Sequence, residues 1–133
     1  MMWGQSGILW DDMEATTVAY LSRALGARTE PVTAGVRVSA AKTEGPDRQV
    51  VVRDDGGGPE GDVRATVRLG VNVWATTEDE ASELARLVTA LINAWPDGRP
   101  VVRASATRPY AVKDAAGPLR YLTAELTIRG SSV

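Results

Sequence analysis

The strongest pattern in the chain runs from residue 63 to residue 75, where Val63, Ala65, Val67, Leu69, Val71, Val73 and Ala75 alternate with Arg64, Thr66, Arg68, Gly70, Asn72 and Trp74. A period of two puts one apolar row and one mostly polar row on opposite faces of a β-strand. At about 3.3 Å per residue the segment would span roughly 43 Å, against about 14 Å for the radius of gyration of a compact chain of this length. That excess predicts a hairpin arm that leaves the body and rests on another surface. Thr77, Glu78, Asp79 and Glu80 follow as an S/T-x-x-E capping box with acidic residues where the helix dipole favours them. Beyond it, Ala81, Leu84, Ala85, Val88, Leu91, Ile92 and Trp95 recur at helical spacing, and Pro96, Asp97 and Gly98 end the helix. Its apolar stripe is read as the face that covers the sheet.

The remaining segments are shorter. Asp11 and Asp12 mark the start of an amphipathic helix that carries Val18, Leu21 and Leu25 on one face and stops at Gly26. Residues 27–35 read as a connector, and 36–42 and 48–53 as two strands of a hairpin that turns around Gly45 and Pro46. Asp54 to Asp62, with glycine at four of nine positions, reads as a flexible hairpin tip. Strands are expected at 101–108 and 119–129, joined by a loop over 109–118. The order is α-β-β-β-α-β-β, an α+β fold with a mostly antiparallel sheet of about five strands packed by two helices, and no linker divides residues 1–133 into more than one domain.

Composition narrows the chemistry. The 133 residues include no cysteine, no histidine and no phenylalanine. Thiol nucleophiles, disulfides, thiolate metal sites and imidazole bases are therefore excluded. An enzyme would have to rely on carboxylates, lysine, tyrosine or serine; only carboxylates are plentiful, since Lys42 and Lys113 are the only lysines among 15 basic residues. A formal net charge of -2 without a basic block argues against sequence-specific DNA binding. No apolar run is long enough to cross a membrane, and residues 1–10 do not resemble a secretory signal, so a soluble protein made in a cytoplasm is expected.

Each candidate acid/base pair has a structural explanation. Asp11 with Asp12 and Glu78 to Glu80 with Glu83 sit in first helical turns, and Asp54 with Asp55 sits in the glycine-rich segment. That segment lacks the Gly-Lys-Ser/Thr ending of a phosphate loop, and no D-x-D-x-D-G-x-E run is present. No catalytic residue, cofactor site or metal site is expected. Trp74 falls on the polar phase of the long strand, which admits two readings: packing under the helix or on the strand's second face, or a place in an interface.

The segments RATVRLGVNVWATT (64–77), EDEASELARLVTALINAW (78–95) and RYLTAELTIRG (120–130), with the acidic glycine-rich segment before them, resemble the tail terminator proteins of long-tailed bacteriophages. The likeness runs from about Val36 to Gly130 and rests on hydrophobic pattern, not on catalytic signatures. It implies a non-enzymatic structural virion protein of the tail or neck, assembled in the bacterial host cytoplasm. Such a protein forms a homohexameric ring on the last ring of the tail tube, ends tail polymerisation and presents the head-tail joining surface. The implied partners are further copies of the chain, the major tail tube protein and a connector or head completion protein. DNA would pass through the channel without sequence-specific binding, and no membrane is involved. On this basis Arg53, Asp54, Asp55, Gly56, Gly57, Gly58, Glu60 and Asp62, with Trp74 as a further candidate, are expected at a subunit or tube contact. A head completion or connector adaptor of the neck is the alternative, and a small α+β enzyme or ligand-binding domain is a third reading.

Overall fold

In the computed structural model, residues 7–61, 63–96, 98 and 100–132 are described. The chain runs β1 (Ile8–Leu9), α1 (Met13–Gly26), a 3-10 turn (Pro31–Thr33), β2 (Arg37–Ser39), β3 (Gln49–Pro59), β4 (Arg64–Trp74), α2 (Glu78–Asn93), β5 (Val101–Ala106), β6 (Tyr110–Val112), β7 (Leu119–Arg129) and β8 (Ser131–Ser132). The fold is α+β. One sheet takes the order β2-β3-β4-β7-β5, with β6 following β5 along the same side of β7. A second, two-stranded sheet pairs β1 with β8.

The helices form where their caps and apolar stripes predict. Asp12 caps α1, its Oδ1 accepting from the Ala15 amide at 3.0 Å, and Met13, Thr17, Leu21 and Leu25 turn inward. The buried Thr17 hydroxyl is satisfied by donating to the Met13 carbonyl at 2.6 Å. Thr77 caps α2, accepting from the Glu80 amide at 3.1 Å, while the Glu80 carboxylate turns back to the Thr76 amide at 3.4 Å instead of completing the reciprocal bond to Thr77. Ala81, Leu84, Ala85, Val88 and Ile92 of α2 are buried. The two helices are joined by Tyr20, whose hydroxyl donates to the Leu91 carbonyl at 2.6 Å and whose ring stacks on Trp95 at 4.2 Å.

The core lies between these helices and one face of the sheet. Val50 and Val52 of β3, Leu69, Val71 and Val73 of β4, and Leu122, Ala124, Leu126 and Ile128 of β7 form its floor. They are the inward phase of three strands in register, Val52 opposite Val71 and Val71 opposite Leu122.

Four details depart from the sequence reading. First, β2 and β3 run parallel, with Arg37 opposite Gln49, so residues 36–53 are not a hairpin. The three residues of β2 are short enough for the connecting loop to carry the chain back to the same end of the sheet. Gln49 holds that loop in place: its Nε2 donates to the Thr43 and Pro46 carbonyls at 2.8 and 2.7 Å, and its Oε1 accepts from the Thr43 amide at 3.0 Å. Second, β3 continues through Pro59 and pairs with β4 as far as Ala65, so most of the expected flexible tip is strand. Third, β7 accompanies β4 over its whole length, from Arg64 opposite Arg129 to Trp74 opposite Leu119. The long hairpin exists, but a third strand supports it, which is how its length is accommodated. Fourth, residues 109–118 contain β6, and the preceding strand stops at Ala106, whose amide donates to Asn93 Oδ1 at 2.8 Å.

One ion pair ties the start of β3 to α2: Arg48 Nη2 lies 2.9 Å from Glu80 Oε2. The hydrogen bond from Arg48 holds the Glu80 carboxyl below its ordinary value, with the charge of the same guanidinium adding to it. A depressed folded pKa means the stabilisation is present above the unfolded value of 4.5 and is lost as pH falls through the lower folded value. Glu80→Gln should therefore melt earlier than wild type at neutral pH, and the gap should close in acid titration. A gap that is constant with pH would assign the effect to packing alone.

Candidate functional site

The outer half of the β3–β4 hairpin gathers most of the sequence-predicted site residues. The apolar alternation that buries Val50 and Val52 stops at Arg53, and from there to Glu60 the side chains are exposed. With nothing apolar to bury, the strand persists through glycine and local hydrogen bonds. A bulge between Asp54 and Gly56 places Asp55 out of register. Asp54 Oδ1 accepts from the Gly56 amide at 2.7 Å, and the Asp54 amide donates to Glu14 Oε2 at 2.9 Å, which links the hairpin to the first turn of α1. Gly57 has φ +147° and lies against the Thr66 carbonyl so closely that no Cβ fits. The Glu60 amide closes the tip on the Arg64 carbonyl at 2.8 Å, and the Glu60 carboxylate accepts from the Thr66 hydroxyl.

Arg53 does not project freely. Its Nε donates to Asp55 Oδ1 at 2.6 Å and its Nη2 lies 3.3 Å from the Tyr121 hydroxyl, with the guanidinium 6.0 Å from the Tyr121 ring centroid. The hydrogen bond with Asp55 raises the already high Arg53 pKa, so the cation is permanent. Gly70 makes this cluster possible, because a Cβ there would stand 2.5 Å from Arg53 Nη2, 2.8 Å from Asp55 Oδ2 and 2.9 Å from the Tyr121 hydroxyl. Gly70 was not singled out by the sequence, and Tyr121 only as part of the Arg-Tyr opening of the last long strand. The signal for Gly70 was a glycine interrupting an otherwise regular strand, a mark of close approach by another group. Tyr110, 57% exposed, meets Tyr121 edge-on at 5.7 Å and extends the cluster across the uncovered face.

The structure separates Trp74 from this group. It packs with Val51 and Leu119 on the face of the sheet opposite the helices, under Lys42, whose ammonium lies 4.8 Å from the ring centroid. The indole is 7% exposed, so of the two sequence readings the packing role is the one the fold displays. Asp62 lies outside the described residues.

Two shallow depressions flank the hairpin. One, of about 240 Å³, lies on the helix side between Trp10, Met13, Gly57, Pro59 and Val67. The other, of about 380 Å³, lies on the open face between Asp55, Arg68, Thr123 and Glu125. Four carboxylates have structural partners: Asp12 caps α1, Asp55 pairs with Arg53, Glu78 with Arg120 at 2.6 Å and Glu80 with Arg48. Among the described residues no group of three or more acidic side chains could hold a metal ion. What the arrangement offers is an exposed, acidic hairpin edge and a broad polar sheet face.

The sequence matches no protein-family model and no curated protein. Among solved structures, a chain of the "Virion of native gene transfer agent (GTA) particle" has a similar fold, with a TM-score of 0.61 over 90% of this chain and 98% of that chain at 17% sequence identity.

Proposed function

We propose that the chain is a structural protein of a phage-like virion, and that it serves as a tail terminator: a non-enzymatic, homohexameric ring that caps the tail tube and provides the head-tail joining surface. The observation that carries this reading is the shared fold with a chain of a gene transfer agent virion, which extends over nearly all of both chains. Two features support it. The carboxylates of Asp12, Asp55, Glu78 and Glu80 are committed to a cap and to ion pairs, which suits a geometric task better than a catalytic one. The hairpin from Arg53 to Glu60 exposes a paired strand edge to solvent with Pro59 as its one apolar side chain, as suits a segment that meets another subunit or the tube. A net charge of -2 fits a channel that lets DNA slide, since each cationic phosphate contact would add affinity.

Removing the gene from the phage or particle-producing strain tests the reading by electron microscopy. Filled heads beside unjoined tubes of irregular length are expected. Tubes of normal length beside leaking heads would instead place the protein on the head side, as a completion or adaptor protein. Particles indistinguishable from wild type would overturn both.

A further inference from the structure

The two edges of the main sheet carry opposite charge. On one edge, β3 extends past β2, and its outer half with the turn after it presents Asp54 and Glu60, neither paired with a cation among the described residues. On the other edge lies β5 with the turn and short strand that follow it. From Pro100 to Lys113 that segment contains Arg103, Arg108 and Lys113, all exposed, and no carboxylate. None of the three has an acidic partner among the described residues. Between the edges run β4 and β7, so at about 4.8 Å per strand they lie on the order of 14 Å apart and cannot neutralise each other within one chain.

The register aligns the charges in height along the strands. Arg103 stands opposite Thr127, Thr127 opposite Thr66, and Thr66 opposite Gly58, two residues before Glu60. Ala106 stands opposite Ala124, Ala124 opposite Leu69, and Leu69 opposite Asp54, so Arg108 lies two residues beyond the level of Asp54. Two residues of strand are about 6.6 Å, within the reach of an arginine side chain. A second copy placed alongside by rotation about an axis parallel to the strands keeps these heights. Its Arg103 then meets Glu60, and its Arg108 meets Asp54.

We propose that the β5 edge of one copy docks against the outer half of β3 of the next, through the pairs Arg103 with Glu60 and Arg108 with Asp54. This rests on the ring reading above and gives that ring its subunit contact. The surfaces that meet are different, so the contact is head-to-tail, the kind that closes into a ring rather than a two-fold dimer. Side chains carry it more than backbone, because the Asp54 and Gly56 amides are already occupied by the Glu14 and Asp54 carboxylates. The bulge between Val101 and Arg103 leaves Val102 40% exposed on the docking edge, at the same end of the sheet as the apolar depression beside Pro59 and Trp10.

Charge reversal tests the contact by sedimentation velocity. Wild type should self-associate, and raising salt from about 0.05 to 0.5 M should weaken it, as screened pairs require. Arg103→Glu with Arg108→Glu should lower the association constant by about a hundredfold, and so should Asp54→Arg with Glu60→Arg, each pair of reversals replacing attraction by repulsion. Mixing the two variants should restore assembly, since each then offers the other an oppositely charged edge. The Arg103/Arg108 variant changes only exposed side chains, which guards against a folding artefact. Wild type that stays monomeric, reversals without effect, or a mixture that stays dissociated would each overturn the contact. The gene-removal experiment judges the terminator role separately.

Discussion

Gly57→Val is expected to pull the outer hairpin apart while the body of the domain stays folded. A Cβ at this position would stand inside contact distance of the Thr66 carbonyl, which belongs to the neighbouring strand's backbone and cannot rotate away as a side chain could. The φ of +147° adds strain for any residue with a side chain. Together these should cost about 2–5 kcal/mol, more than a few exposed ladder hydrogen bonds return. The strands can escape by separating from Gly56 to Pro59 on one side and from Ala65 to Arg68 on the other. The loss should therefore appear as local opening, with hydrogen exchange in those segments faster by about 30-fold or more. Amides of α2 and of residues 119–124 should keep their protection. Gly58→Ala is the control, because its Cβ would meet nothing within 4 Å and its φ is not in the left-handed region. Equal exchange in Gly57→Val and wild type would mean that the hairpin is not paired in solution as described.

What the sequence made legible follows from how local each signal is. The period of two in β4 and the stripe of α2 depend on side chains that all face one core, so burial enforces the pattern directly. The β3 extension was hidden because glycine carries no alternation: Gly56, Gly57 and Gly58 look like a loop, and only the Thr66 backbone that Gly57 must approach explains them. The parallel pairing of β2 with β3 was hidden for a different reason. A short segment with Gly45 and Pro46 between two strand-like runs is the usual mark of a hairpin, and nothing in that spacing states the direction of return. The candidate site was legible as a stretch, Arg53 to Glu60, but its internal partners were not. Arg53 with Tyr121 spans 68 positions, and Gly70 beneath them is silent until the strands are aligned.

Gln49→Leu is expected to unseat the loop between β2 and β3, with consequences for Trp74, which stands opposite it on β4. The side chain is 1% exposed and nearly the size of leucine, so the substitution removes hydrogen bonds without opening a large hole. Two carbonyls, of Thr43 and Pro46, and the Thr43 amide lose their partner at once. Each buried group left unsatisfied costs about 1–3 kcal/mol. Because the loop can swing toward water and hydrate some of them, the net loss should be about 2–4 kcal/mol. That swing would lift Lys42 from the Trp74 ring and let water reach a cluster made only of Val51, Trp74 and Leu119. Emission of Trp74 should move to longer wavelength in the variant, and the change should vanish when Trp74→Phe is added. Gln49→Glu separates the two contributions. A carboxylate can still accept from the Thr43 amide but faces both carbonyls without a proton to donate, and its charge is buried. It should be less stable than Gln49→Leu at neutral pH and recover part of the difference in acid, where the protonated group can donate one bond. If both variants melt with wild type, the loop is held by its own turns and β2 lies beside β3 for another reason.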